Sequence, residues 1–229
     1  MKREDVHGQL LGHLRYLKDI GAEYADAADP AVAAVKSKAK ALEELWSDYV
    51  AGCQRCRLSE EGRSNIVFGE GNPDADLMFI GEGPGAEEDR QGLPFVGRAG
   101  KKLNEIIRAV GLQRQDVYIG NIVKCRPPGN RSPRPDEIRS CLPYLERQIA
   151  IIQPRVICAL GTVAAQTLLN TSEPISRLRE EVHSYLGVPL QPTFHPAYLL
   201  RNYTPRTRGQ VWEDMQKVMG LLGITADNR

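Results

Sequence analysis

The stretch Gly81-Glu-Gly-Pro-Gly-Ala-Glu-Glu-Asp-Arg-Gln-Gly-Leu-Pro-Phe-Val-Gly97 decides the fold. It follows residues 76–80, Asp-Leu-Met-Phe-Ile, an apolar run that Gly81 ends, and it precedes Ala99-Gly-Lys-Lys-Leu-Asn-Glu-Ile-Ile-Arg-Ala-Val110. The second segment repeats apolar residues three and four apart, the spacing of one helix face. A strand, a glycine-rich crossing and a helix are therefore expected in that order. Open α/β sheets hold ligands beyond the carboxyl ends of their strands, so Glu82 and its neighbours stand where a site belongs. The glycines let the backbone approach a flat or anionic ligand, and Pro84 stiffens the turn.

Outward from this unit the same alternation continues. Strands are expected at residues 76–80, 116–123, 155–160 and 190–194, and helices at 100–110, 135–152, 162–169 and 207–222. Strands alternating with helices predict an α/β fold: a three-layer α/β/α arrangement around a central, mostly parallel four-stranded sheet. Upstream, Leu10, Leu11, Leu14, Leu17 and Ile20 share one face of a predicted helix over residues 1–25. The Ala- and Asp-rich residues 22–30 read as a break, and a second helical pattern over 31–50 leads into Cys53. Residues 1–40 are thus expected to form a helical extension, and 41–229 the principal domain.

At 229 residues the chain is long enough for one α/β domain with an appendage. It has no apolar run of about eighteen residues and no signal-like segment after Met1-Lys-Arg-Glu-Asp-Val-His7, so a cytoplasmic protein without a membrane partner is expected. The formal net charge of +1 gives no general attraction to nucleic acid. Local clusters do exist: Lys124, Arg126, Arg131 and Arg134 in one segment, Arg201, Arg206 and Arg208 in another.

Five cysteines in such a chain argue against a disulfide framework. Cys53 and Cys56 form a C-x-x-C pair, while Cys125 and Cys141 lie in polar, Pro- and Arg-rich surroundings. Cys158 sits inside an apolar strand pattern and is expected to be packing. Four thiolates suit tetrahedral zinc or an iron-sulfur cubane, and spacing does not choose between them.

The glycine-rich block resembles the first motif of the uracil-DNA glycosylase superfamily, and its Gly-Glu-Gly-Pro-Gly form with Pro-Phe-Val-Gly resembles the family 4, iron-sulfur-containing branch. Three further stretches are similar to that branch: Gly120-Asn-Ile-Val-Lys-Cys-Arg-Pro-Pro-Gly-Asn-Arg131, Cys53-Gln-Arg-Cys56 and His195-Pro-Ala-Tyr-Leu-Leu-Arg-Asn202. The resemblance runs from about residue 45 to about residue 222. It implies a [4Fe-4S] cluster on Cys53, Cys56, Cys125 and Cys141, and a monomeric DNA-repair hydrolase acting on uracil in single- and double-stranded DNA.

Cleaving the bond between deoxyribose C1′ and uracil N1 needs negative charge stabilised on the base and positive charge on the sugar. Glu82 is the carboxylate implied for the sugar and the attacking water, with Gly83 where other branches carry an aspartate. His195 is implied as a neutral imidazole donating to uracil O2. The Asn121 amide can donate to uracil O4 and accept from N3–H, polarities that cytosine reverses. Phe95 offers a stacking face; Glu88 is implied in excluding the thymine methyl, beside a wall left bare by Gly85. Leu199 is implied as an apolar wedge in the base stack, with Arg126, Arg131 and Arg201 as further DNA contacts. Two other readings stand beside this one: a uracil-DNA cross-linking protein on the same fold, against which residues 126–135 contain no histidine, and an iron-sulfur module of a larger complex.

Overall fold

The computed structural model describes residues 37–224. The predicted helix over residues 1–25 and the break after it lie outside them. The described chain begins with α1 (Lys38–Leu45), capped by the Ser37 hydroxyl on the Lys40 N–H and continued by one π-turn, Trp46–Val50. There follow β1 (Glu70–Gly71), β2 (Leu77–Gly81), α2 (Ala86–Gln91), α3 (Arg98–Ala109), β3 (Tyr118–Asn121), α4 (Pro135–Ile152), β4 (Val156–Leu160) and α5 (Thr162–Leu169). The chain then runs through α6 (Ile175–Leu178), β5 (His183–Tyr185), β6 (Val188–Thr193), α7 (Pro196–Arg201) and α8 (Pro205–Leu222).

These strands form one six-stranded sheet in the order β1-β3-β2-β4-β6-β5. The four predicted strands are its parallel centre, with Phe79 facing Ile119 on one side and Cys158 on the other. The expectation of four strands is corrected to six. β1 and β5 add antiparallel edges two and three residues long, too short to carry a period-two signal.

Alternation along the strands divides the core. Met78 and Ile80 join Ile157, Leu145, Ile149 and Ala165 on the face covered by α1, α4 and α5. Leu77 and Phe79 join Leu103, Ile107, Met215 and Val218 on the face covered by α3 and α8. Helices therefore flank both faces, as the period-two rule requires of a strand buried on both sides. Cys158 is fully buried in the second cluster, in the packing role expected of it. Among the described residues no helix is long and apolar enough to cross a membrane.

The parallel strands all end on one side. Glu82, Asn121, Gly161 and His195 follow or close β2, β3, β4 and β6 there, so the sheet itself gathers them.

Candidate active site

One cavity lies beyond those strand ends, lined by Glu82, Gly83, Glu88, Phe95, Asn121, Arg131, Ser132, Gly161, His195 and Arg201, among others. Two glycines make it possible. A side chain on Gly81 would meet Asn121 Oδ1 at 2.5 Å and the Phe95 ring at 2.6 Å, so the aromatic edge and the amide share the space a Cβ would take. Gly161, at φ +90°, adopts a conformation few other residues accept, and a Cβ there would lie 2.8 Å from that of His195.

His195 sits at the N-cap of α7, and its Nδ1 accepts the Ala197 N–H at 3.1 Å. An imidazole that accepts at Nδ1 carries its proton on Nε2 when neutral. Burial, and after it the positive charge of Arg201, holds the His195 pKa down to about 4 against the opposing charge of Glu88. The ring is therefore a neutral donor at pH 7. Its centroid lies 5.6 Å from that of Phe95.

Glu82 is half-buried at the end of β2, and desolvation raises its pKa above the ordinary carboxylate value while the Ser132 hydroxyl pulls it down. Ser132 has no signal in the sequence; the loop closing after β3 brings it to a residue fifty positions earlier. Asn121 is 1% exposed, and its Oδ1 has no hydrogen-bond partner among the described residues. A buried polar atom without a partner is uncommon, and Asn121 is among the residues lining the cavity.

Phe95 has φ +51°, a left-handed conformation that costs a side-chain-bearing residue on the order of 1–3 kcal/mol. The loop that holds it is braced twice. Glu88 Oε1 accepts the N–H groups of Val96 and Gly97, both at 2.9 Å, and Arg114, paired with Glu70 at 2.8 Å, donates to the Phe95 carbonyl at 3.2 Å. The Glu88 carboxylate thus braces this loop as well as lining the cavity. Gly85 is more than a bare wall, since its Cβ would come within 2.8 Å of Glu88 Oε2.

The DNA contacts expected from sequence divide. Arg201 is exposed at the cavity. Arg126 lies outside it, bonding Asn130 Oδ1 at 2.8 Å. Arg131 lines it, yet its guanidinium is held by Glu137 at 2.6 Å and Glu61 at 3.0 Å, so it shapes the loop with its charge already matched. Leu199, implied as a wedge, does not project in this structure. It is 3% exposed, because α7 turns it to the same inner face as Pro196, three residues back, and leaves Tyr198 and Leu200 outside. Lys124 is also corrected: it is buried rather than part of a basic surface, with Nζ on Gln148 Oε1 at 2.6 Å and on the Asn121 carbonyl at 3.1 Å.

A second, smaller cavity is lined by Cys53, Cys56, Cys125 and Cys141 together with Arg63, Lys124 and Tyr144. Arg63 donates to Cys125 Sγ at 3.1 Å and to the Cys53 carbonyl at 2.8 Å. The Lys124 N–H points to Cys141 Sγ at 3.2 Å, and the Tyr144 hydroxyl to Cys53 Sγ at 3.4 Å. Burial raises the thiols of Cys56, Cys125 and Cys141, the last up to about 12, and the charges of neighbouring cysteines raise them further. The four thiols line one cavity, and the sulfurs of Cys53, Cys125 and Cys141 each receive an N–H or O–H donor.

A family model for the uracil DNA glycosylase superfamily matches residues 68–216. The chain is 46% identical over 183 residues to a type-4 uracil-DNA glycosylase of Thermotoga maritima, covering 79% of this chain and 95% of that protein. It is 44% identical over 197 residues to a type-4 uracil-DNA glycosylase of Saccharolobus solfataricus, covering 81% and 90%. A type-5 uracil-DNA glycosylase of Thermus thermophilus is more distant, 32% identical over 139 residues and 54% of this chain.

Proposed function

As a member of the uracil-DNA glycosylase superfamily, and of its type-4 branch, this chain is a DNA-repair hydrolase that releases uracil from DNA, and we propose that Glu82, Asn121 and His195 carry its reaction. The observation that carries the assignment is their convergence on one cavity, each brought there by a different strand of the parallel sheet.

A duplex hides the C1′–N1 bond, so the nucleotide is extruded into the cavity; the general behaviour of glycosylases is to flip the base. Phe95 stacks on the uracil ring, a contact worth roughly 1–3 kcal/mol per base in other systems. The unpartnered Asn121 Oδ1 accepts from N3–H, and the amide N–H₂ donates to O4. Cytosine would leave this buried amide mispaired, which is the stringent kind of discrimination. As the bond breaks, its electron pair goes to the base, and the charge that builds on O2 meets His195 Nε2–H. The Glu82 carboxylate favours the oxocarbenium-like sugar and accepts a proton from the water that adds to C1′. The products are an abasic site and uracil, which leaves as the N1 anion and takes up the proton that Glu82 releases.

In this reading Cys53, Cys56, Cys125 and Cys141 hold a [4Fe-4S] cluster. The structure supports it by the four thiols around one cavity and the hydrogen-bond donors aimed at their sulfurs. Hydrolysis transfers no electron, so the cluster, when bound, supplies charge and order to the adjoining loop. The protein acts as a cytoplasmic monomer on single- and double-stranded DNA, with residues 41–229 as the catalytic domain and residues 1–40 dispensable for excision.

The test incubates pure protein with a uracil-containing strand and then alkali. Strand breaks at uracil are expected. A complex that survives denaturation, without breaks, would replace hydrolysis by cross-linking.

A further inference from the structure

Lys124 is a charged side chain in the wrong place for an ordinary lysine. It is 1% exposed, and among the described residues its ammonium meets only neutral oxygens, Gln148 Oε1 at 2.6 Å and the Asn121 carbonyl at 3.1 Å. A buried ammonium without a counter-charge is strongly unfavourable. The same residue touches the cysteine site: its backbone N–H lies 3.2 Å from Cys141 Sγ, and it is among the residues lining the cavity of the four thiols. Gln148 is fixed in turn, donating to the Phe68 carbonyl at 3.0 Å and to the Tyr118 hydroxyl at 3.1 Å.

We infer that Lys124 is a positioning residue through which the four-cysteine site sets the base-reading Asn121. The inference rests on the proposed cluster and on the proposed role of Asn121. A cubane with four thiolate ligands bears net negative charge, which supplies the missing partner for the ammonium. Held there, the ammonium donates to the Asn121 main-chain carbonyl and fixes the strand end from which the amide reaches the cavity. Among the described residues Asn121 Oδ1 has no partner to hold it, so its direction depends on the backbone beneath it. Among the cations lining the cavity, Lys124 donates to the Asn121 carbonyl, Arg63 donates to Cys125 Sγ and the Cys53 carbonyl, and Arg55 lies over the Tyr144 ring.

The test uses the full-length protein with its cluster, comparing wild type, Lys124→Met, Asn121→Ala and the double variant. Lys124→Met should retain its iron and sulfide, while its cluster midpoint potential moves to a more negative value because a nearby positive charge is gone. Single-turnover excision of uracil should fall about 10–100-fold, the usual cost of losing a supporting partner. Binding to DNA without uracil should be unchanged. Adding Lys124→Met to Asn121→Ala should cost little more, since residues acting through one another are not additive. Multiplying rate losses, or an unmoved potential, would overturn the inference. Should Lys124→Met not fold, Gln148→Met retains the cation and removes its side-chain acceptor; excision at the wild-type rate there would overturn it equally. Wild type without iron, or Asn121→Ala at the wild-type rate, would remove the underlying reading instead.

Discussion

The Ala197 N–H donates to His195 Nδ1 at 3.1 Å, so the cap of α7 is also the bond that selects the tautomer of His195. The helix begins at the residue after the histidine, and its first free N–H groups would otherwise lack acceptors. Local helix chemistry thus uses Nδ1 and leaves Nε2–H for the proposed stabilisation of the leaving base.

His195→Ala should slow single-turnover cleavage by about 10²–10³, the range seen when one donor to a developing anion is removed. Affinity for a non-cleavable uracil analogue in DNA should change little, because the charge it meets forms only in the transition state. Equal losses in binding and in rate would place His195 in ground-state recognition instead.

The acid limb of the pH–rate profile should belong to Glu82. Its carboxylate must be ionised, and desolvation lifts its pKa above 4.5, whereas His195 stays neutral down to about 4. Rate should therefore rise with pH through a midpoint above 4.5. Ser132→Ala removes the bond that lowers the Glu82 pKa and should carry the limb to higher pH. Stability has its own sign: between pH 6.5 and about 4 the unfolded His195 binds a proton that the folded one does not, so its contribution falls as the pH is lowered. A limb that Ser132→Ala leaves in place would remove Glu82 from this role.

Asn121→Asp should lose uracil excision and gain weak cleavage of cytosine, since a protonated aspartate donates to cytosine N3 and its other oxygen accepts from N4–H₂. One labelled oligonucleotide carrying U·G, C·G or T·A in turn measures both. Uracil cleavage at the wild-type rate would contradict the unpartnered Oδ1 as the base reader.

Arg114→Ala should act on Phe95 from behind. The guanidinium joins Glu70 to the Phe95 carbonyl and to Asn104 Oδ1 at 3.2 Å, holding a backbone at φ +51°. Activity is expected to fall about 10-fold or more, as misplaced positioning groups commonly cost, with the cluster chromophore intact. A Phe95→Ala, Arg114→Ala pair no slower than Phe95→Ala alone would confirm the route; independent losses would refute it.

Cys125→Ser should lose or weaken the brown chromophore, and Cys158→Ser should keep it. Cys125 shares its cavity with the other three thiols, while Cys158 lies fully buried on the opposite face of the sheet. Iron and sulfide content decides the matter.

The sequence by itself determined the parallel centre of the sheet, because a strand buried on both faces must be an unbroken apolar run. Residues 77–80 and 156–160 are such runs. The helical pattern over residues 135–152 likewise matches α4, Pro135–Ile152. Glu82 can be placed after a strand from its apolar run, whereas Asn121 and His195 are implied by the resemblance; the sheet brings all three to one side because parallel strands end together. Tertiary structure alone decided the edge strands, the inward turn of Leu199 and the burial of Lys124. A two-residue edge has no period to read. Leu199 faces inward only because the chain turns helical at Pro196, and Lys124 is buried only because α4 returns to lay Gln148 and Cys141 against it. Spacing along the chain records which face of an element is apolar, but partners brought from distant positions decide where a charge can be buried.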